Sequence, residues 1–197
     1  MRGTGLEEAI SNRRTQRDFQ DRSVSVSKVH RLLWAAQGVT DESGKRTAPS
    51  AHALHPLNLR FTAGNIDGLE PGTYSVAGDA KTLEPIIRRD LRRELQAAAL
   101  EDQPWIGEAA GIITVCADFA AASRAFVEQP PYGLRGLRYV YIEAGAVAQN
   151  LQLMASADGL GSVIVAGFKD EATADILELE APITPVMHLC FGWPLLS

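Results

Sequence analysis

Hydrophobic positions along the chain recur with two different periods, and the points where the period changes mark the elements. Thr4 and Glu7 have the spacing of a capping box, and Leu6-Glu7-Glu8-Ala9-Ile10 continues as a short helix ending at Arg13-Arg14. A second helix is predicted from about Ser25, with Val29, Leu32, Leu33 and Ala36 on one face and Gly38 as its C′ residue. Residues 40–56 are rich in Gly, Ser, Thr, Pro and His and read as loop. Leu57-Asn58-Leu59-Arg60-Phe61 alternates as a half-buried strand, and Thr73–Val76 is a short strand after the Glu70-Pro71-Gly72 turn. Residues 85–99 are expected to form a surface helix with Pro85 near N1. Ile86, Ile87, Leu91 and Leu95 would face inward there, and Arg88, Arg89, Arg92 and Arg93 outward. Gly111–Ala117 is a buried strand, whereas residues 120–134 lack a strong period and contain the break Gln129-Pro130-Pro131-Tyr132-Gly133.

The most regular pattern is a long helix from about Arg135 to Asp158, closed by Gly159. Its Ala144, Gly145, Ala146 and Ala148 suit close packing at the centre of a fold. Gly161–Phe168 reads as a strand, Asp170 caps a short helix reaching Leu179, and Pro185–Trp193 is the last strand. No repeat, low-complexity segment or linker interrupts residues 1–197, so a single α+β domain is expected.

Composition narrows the class. With 46% hydrophobic and 22% charged residues the chain is an ordinary globular sequence. A net charge of −5 argues against a nucleic-acid partner. No N-terminal hydrophobic stretch resembles a signal peptide, and the apolar runs are far shorter than the roughly 18–20 residues that span a bilayer, so no membrane partner is expected. Cys116 and Cys190 lie in β-like apolar runs without CxxC spacing, which fits buried, reduced thiols and a cytoplasmic location. The charge is uneven: residues 1–100 carry 15 basic and 12 acidic side chains, and the rest carry 4 and 12. An anionic cofactor would therefore lie against the N-terminal half.

Most catalytic and nucleotide motifs are missing. There is no GxGxxG, no GxxxxGK[ST] and no GxSxG elbow. Ser50, His52 and His55 are close in sequence, but nothing in their spacing builds a hydrolase triad. His52 and His55 lack a third ligand, so no metal site is expected. The Arg88–Arg93 run is most simply a solvated helix face. The cluster Arg13-Arg14-Thr15-Gln16-Arg17 is different in kind: three guanidiniums and a hydroxyl within five residues can hold a phosphate dianion through forked, charge-assisted hydrogen bonds.

Arg13-Arg14-Thr15-Gln16-Arg17-Asp18-Phe19 resembles the Arg-Arg-Ser-x-Arg-x-Phe entry motif of the nitroreductase-like flavoprotein family. Further segments match in order: Leu32–Gly38, Arg46–Ala51, Glu143-Ala144-Gly145 through Gln149-Asn150-Leu151, Gly159-Leu160-Gly161, Gly167-Phe168 and Phe191–Pro194. Their form is similar to the SagB-type, or thiazole/oxazole-forming, dehydrogenase branch. The resemblance implies an α+β nitroreductase-like fold, with a central, mostly antiparallel sheet flanked by helices, in an intertwined homodimer with FMN at the interface. It implies that Arg13, Arg14, Thr15 and Arg17 hold the FMN phosphate and ribityl chain. Pro49, Ser50 and Ala51 would approach the ring from the partner, and Val165, Ala166 and Gly167 would lie along it, where a backbone N–H reaches flavin N5.

The implied activity is FMN-dependent hydride transfer at flavin N5 on a modified peptide or a small metabolite. Azoline-oxidising members carry a Lys-Tyr pair before a Gly, where this chain has Pro131-Tyr132-Gly133. A general base must then come from His52, His55 or Tyr132. Two other readings stay open: an NAD(P)H-dependent nitroreductase or quinone reductase, and a flavin-fold scaffold subunit of a biosynthetic complex that has lost catalysis.

Overall fold

A computed structural model of the chain describes residues 5–195. In chain order the elements are α1 (Leu6–Asn12), β1 (Val24–Ser25), α2 (Val26–Gln37), β2 (Leu57–Ala63), β3 (Ile66–Asp67), β4 (Gly72–Val76) and β5 (Leu83–Ile87). Then come α3 (Arg92–Ala97), α4 (Pro104–Glu108), β6 (Gly111–Asp118), α5 (Phe119–Ala125), α6 (Arg135–Ala157), β7 (Gly161–Val165), α7 (Asp170–Ile176) and β8 (Ile183–Gly192). A 3-10 turn, Ala51–Ala53, lies between α2 and β2. The main sheet has the order β5-β4-β2-β6-β8-β7 with every neighbouring pair antiparallel, and β1 and β3 form a separate parallel pair.

The alternation in β2 sorts the sheet's two faces. Leu57, Leu59, Phe61 and Ala63 join Ile113, Val115, Leu189 and Phe191 in a core that takes in the apolar sides of α2 and α6. On the opposite face Ile112, Val163, Val165 and Cys190 pack with Leu95, Ile106, Phe168 and Leu177, which come from α3, α4 and the segments flanking α7. The fold is therefore an α+β arrangement of helix, sheet and helix layers. β6 is buried on both faces, so its sequence is a continuous apolar run instead of an alternating one. α6 packs on α1, α2 and α5. Its Gly136 is required by α5, because a Cβ there would stand 2.3 Å from the Ala122 carbonyl oxygen.

Several sequence expectations are corrected. Residues 85–99 do not form one helix: Leu83–Ile87 is the edge strand β5, and α3 starts only at Arg92. An edge strand tolerates Pro85, and β-branched Ile86 and Ile87 favour extended backbone. Asp90 then accepts the Arg92 N–H at 3.0 Å and starts the helix late. The arginine run is not uniformly solvated either. Arg92 forks onto Asp90 and donates to the Ala109 carbonyl at 2.5 Å, and Arg89 pairs with Glu94. Gly38 does close α2, but with φ −61°, so it is not a left-handed cap; a Cβ there would sit 2.2 Å from the Trp34 ring. Residues 119–125, which show no period, form α5 under a cap in which Asp118 accepts the Ala121 N–H at 2.7 Å. Thr4 of the expected capping box lies outside the described residues, and α1 begins after Gly5.

Both cysteines are buried and free, and burial pushes the Cys116 thiol up to about 12 and the Cys190 thiol higher as well. Among the described residues no helix is long and apolar enough to cross a membrane. His188, on β8, is fully enclosed. Its Nδ1 shares a 2.8 Å hydrogen bond with Thr114 Oγ1, its ring packs on Phe168, and its Nε2 has no partner. Burial holds its pKa down at about 4. Between pH 4 and the ordinary value near 6.5 the unfolded chain binds a proton that the folded chain refuses, so acid favours unfolding. This contribution to stability is whole above about pH 6.5 and falls by about 3 kcal/mol as pH drops to 4. Denaturant unfolding across this window should show a steeper loss in the native protein than in His188→Gln; equal slopes would show that the buried imidazole is not the group responsible.

Candidate functional site

The segment leaving α1 carries the arginine cluster and lies along the free edge of β7. Thr15 bridges Ser162 in parallel register, and the Gln16 N–H donates to the Ser162 carbonyl at 3.0 Å. Gly161 permits this approach: a Cβ there would lie 2.8 Å from Gln16 Cβ and 3.2 Å from Pro194 Cβ. The segment is also tied to the chain's far end. Gln20 donates its N–H to the Trp193 carbonyl at 2.8 Å and its Nε2 to the Pro194 carbonyl at 2.7 Å, and the Leu195 N–H donates to the Asp18 carbonyl at 3.0 Å. Phe19 is buried beneath this strap.

On the strap Arg13 is half-buried, whereas Arg14, Thr15 and Arg17 are exposed. Arg14 Nη1 turns back onto the Ser11 and Arg13 carbonyls at 2.8 and 2.9 Å, so its guanidinium closes the helix end. The Arg17 guanidinium carbon stands 5.2 Å from the centre of the Trp105 ring. Among the described residues none of these three arginines is in an ion pair. Uncompensated guanidiniums beside an open hydroxyl suit an anionic ligand.

The same strand leads to the second part of the site. Val165 is buried at the end of β7, Ala166 is exposed and Gly167 is half-buried. The Gly167 carbonyl accepts from the Leu100 N–H and from Gln103 Nε2, each at 3.0 Å. The Lys169 N–H donates to the Ala98 carbonyl at 2.9 Å, and Phe168 bridges Ala99. The backbone after β7 is thus fixed from outside by the α3–α4 connection. The fold brings Arg13, Arg14, Thr15 and Arg17 together with Val165, Ala166 and Gly167 along one strand. Gln103 and Trp105 complete this group and escape sequence reasoning, since no local pattern marks them; only their tertiary contacts do.

Pro49, Ser50, Ala51, His52 and His55 lie in a different place, on the N-terminal half of α6. Glu143, only 5% exposed, accepts the Ser50 hydroxyl at 3.0 Å and the Ala51 N–H at 2.7 Å through one carboxylate oxygen. Ser50 Oγ in turn accepts the His55 N–H at 2.8 Å. The network encloses a strained turn in which His52, Ala53 and His55 take φ of 51°, 53° and 50°. Each costs about 1 kcal/mol or more without glycine. Glu143 enters the sequence reading only as part of a motif; the signal for its role is an acid on the buried stripe of α6, beside Ala144 and Val147.

The three candidate bases are not gathered into one constellation. His52 is exposed and edge-on to Phe126 at 5.2 Å. Tyr132, in the turn between α5 and α6, is 71% exposed. His55 instead lines a polar cavity with Arg46, Gln37 and Asn58. Burial first, and the Arg46 charge second, lower its pKa against the opposing pull of Glu143. Among the described residues no hydrogen bond links His52, His55 and Tyr132, and none joins their loop to the strap or to the end of β7. No group of three metal-ligating side chains occurs among the described residues.

The chain is similar to several known proteins. The sequence profile of the Nitroreductase family matches residues 10–193. A nitroreductase-like protein of Methanocaldococcus jannaschii is 35% identical over 175 residues, covering 89% of this chain and 85% of that protein. The microcin B17-processing protein McbC of Escherichia coli is 25% identical over 182 residues, or 89% of this chain and 65% of McbC. Among solved structures, a nitroreductase-like protein of Ralstonia eutropha superposes with a TM-score of 0.81 at 24% identity, covering 99% of this chain and 85% of that one.

The Glu143 contacts carry a direct expectation. Glu143→Ala removes a charged acceptor from the Ala51 N–H, a loss of about 1.5–3 kcal/mol. Hydrogen exchange at Ala51 should then quicken about tenfold or more, with the sheet amides unchanged. Unaltered exchange at Ala51 would show that the loop holds its turn without the carboxylate.

Proposed function

The chain belongs to the nitroreductase family, and from that premise we propose that it is an FMN-dependent oxidoreductase of the SagB-type dehydrogenase kind, acting on a modified peptide or a small metabolite. The observation that carries this reading is the strap. Arg13, Thr15 and Arg17 stand without acidic partners beside the strand whose end presents Ala166 and Gly167, so an anion site and an open, fixed stretch of backbone adjoin. The residues fit the cofactor's chemistry: guanidiniums and a hydroxyl for its phosphate, and backbone amides for a flat ring. When bound, FMN supplies reversible uptake of a hydride equivalent.

The chain's own groups supply the rest. Arg13 and Arg17 bind the phosphate, and the Thr15 hydroxyl orients it. Leu100 and Gln103 hold the Gly167 carbonyl, and with it the peptides that would lie along the ring. Glu143 fixes Ser50 and Ala51, the residues that would close over the ring from a second subunit. His52, solvent-facing and backed by Phe126, is the base best placed to exchange a proton with a substrate at its ring nitrogens, and the exposed Tyr132 hydroxyl is the alternative.

A homodimer fits the surface. The loop of Pro49–Ala51 and the strap are unconnected within one chain, so a second copy can bring them together. Leu6, Ile10, Trp34, Tyr141 and Ile142 are exposed, and an apolar groove of about 370 Å³ runs between Leu6, Trp34, Leu153 and Met154. Resemblance to McbC, whose name marks it as acting on microcin B17, supports a peptide-modifying activity. The archaeal relative supports the other reading, in which NAD(P)H reduces the flavin and a nitroaromatic or quinone accepts the electrons.

The purified protein is expected to be yellow and to release about one FMN per chain on denaturation. Arg17→Ala should lose cofactor during gel filtration; full occupancy in that variant would place the phosphate elsewhere. Mixing the oxidised protein with NADPH without oxygen separates the two activities. The dehydrogenase reading expects no bleaching within minutes, and rapid bleaching would favour the NAD(P)H-dependent one.

A further inference from the structure

We propose that the polar cavity behind the His52–His55 turn is a binding site for a small carboxylate anion, separate from the arginine strap. The cavity measures about 140 Å³ and lies among Gln37, Arg46, His55 and Asn58, with Leu57 and Val76 as apolar walls. Its lining contains no acidic residue, and Arg46 is in no ion pair among the described residues. A half-buried guanidinium without a counter-charge is unfavourable unless an anion or water compensates it.

The way Arg46 is held points to a ligand. Gln37, 8% exposed, accepts Arg46 Nη1 through Oε1 at 3.3 Å, which orients the guanidinium and uses only one of its five donors. Gly78 borders the guanidinium on another side, where a Cβ would touch Arg46 Nη2 at 3.7 Å. Asn58 adds amide hydrogens, and a neutral His55 ring adds one N–H. Burial lowers the pKa of His55, and the Arg46 charge adds to this against the opposing pull of Glu143, which favours the neutral ring. Donors therefore outnumber acceptors, and a planar guanidinium fork matches a planar carboxylate.

Size sets the class. The volume is roughly ten times what a single water needs, enough for an acid of a few carbon atoms and too little for a nucleotide. The site also touches the turn it lies behind. His55 contributes its ring to the cavity and its backbone N–H to Ser50 Oγ, so an occupant would bear on the segment that Glu143 holds. None of the cavity's residues belongs to the strap, and His55 alone borders the Ser50–Ala51 segment that the flavin reading sets over the ring.

The test is a titration of the full-length protein with sodium acetate at constant ionic strength, followed through the His55 ring and the Gly78 amide by proton–nitrogen NMR. Saturable shifts at both positions are expected. Arg46→Gln should raise the half-saturating acetate concentration about tenfold, as for a lost charge-assisted hydrogen bond, and Arg46→Lys by less. Should Arg46→Gln not fold, Asn58→Asp at its exposed position adds a repelling carboxylate and should abolish saturation. Shifts that grow linearly without saturating, shifts confined to residues 13–17, or equal affinity in the Arg46 and Asn58 variants would each overturn the proposal.

Discussion

The candidate site depends on one close approach: the backbone of Thr15 and Gln16 laid against Ser162 across a glycine. A Cβ at Gly161 would press on Gln16 and Pro194, so a larger residue would push the strap off the edge of β7. Held as it is, the strap turns an edge strand, otherwise open to pairing, into the base of a positively charged rim. It also sets the distance between the guanidiniums and the end of the same strand, where Gly167 is fixed by Leu100 and Gln103. Position along β7 thus relates the arginines of the strap to the fixed backbone at Gly167, the two parts of the proposed cofactor site.

A second constraint acts at the segment before β2. Glu143 spends a buried carboxylate on two donors from the Ser50–Ala51 segment, and the turn that follows holds three non-glycine residues in left-handed backbone. Strain of this kind persists only where the surroundings over-determine it, and it gathers at functional positions. The strap and the turn are each held by several hydrogen bonds of their own. The exposed apolar side chains of α1, α2 and α6 are the surface on which the proposed pairing of two copies would rest.

Much of the fold was legible from pattern because it rests on local periodicity. The alternation in β2 and the unbroken apolar run of β6 carry their burial in sequence, whereas along α6 Ala144 and Ala148 are buried but Gly145 is exposed and Ala146 half-buried. The failures share a cause. Leu83–Ile87 looks helical because Ile86, Ile87, Leu91 and Leu95 fit a helical spacing, but pairing with β4 and the Asp90 turn override it. The short helices α4 and α5 are fixed by Pro104 at the start of one and the Asp118 cap of the other, signals too brief to show a period. At the site, the arginine cluster is visible as charge density along the sequence. Gln103, Trp105 and the pairing of Arg46 with Gln37 are not, because each acts through a partner that only folding brings near.

The most direct measurement changes the strap's seat and leaves every arginine in place. FMN affinity, followed by quenching of flavin fluorescence, would be compared between the native protein and Gly161→Ala, with sheet stability checked in parallel. If the approach of Gln16 to β7 sets the phosphate site, the alanine variant stays folded and binds FMN about tenfold more weakly, the equivalent of one displaced charge-assisted hydrogen bond. Equal affinity in a folded Gly161→Ala protein would contradict this, and would mean that the arginines find the phosphate without the strand to place them.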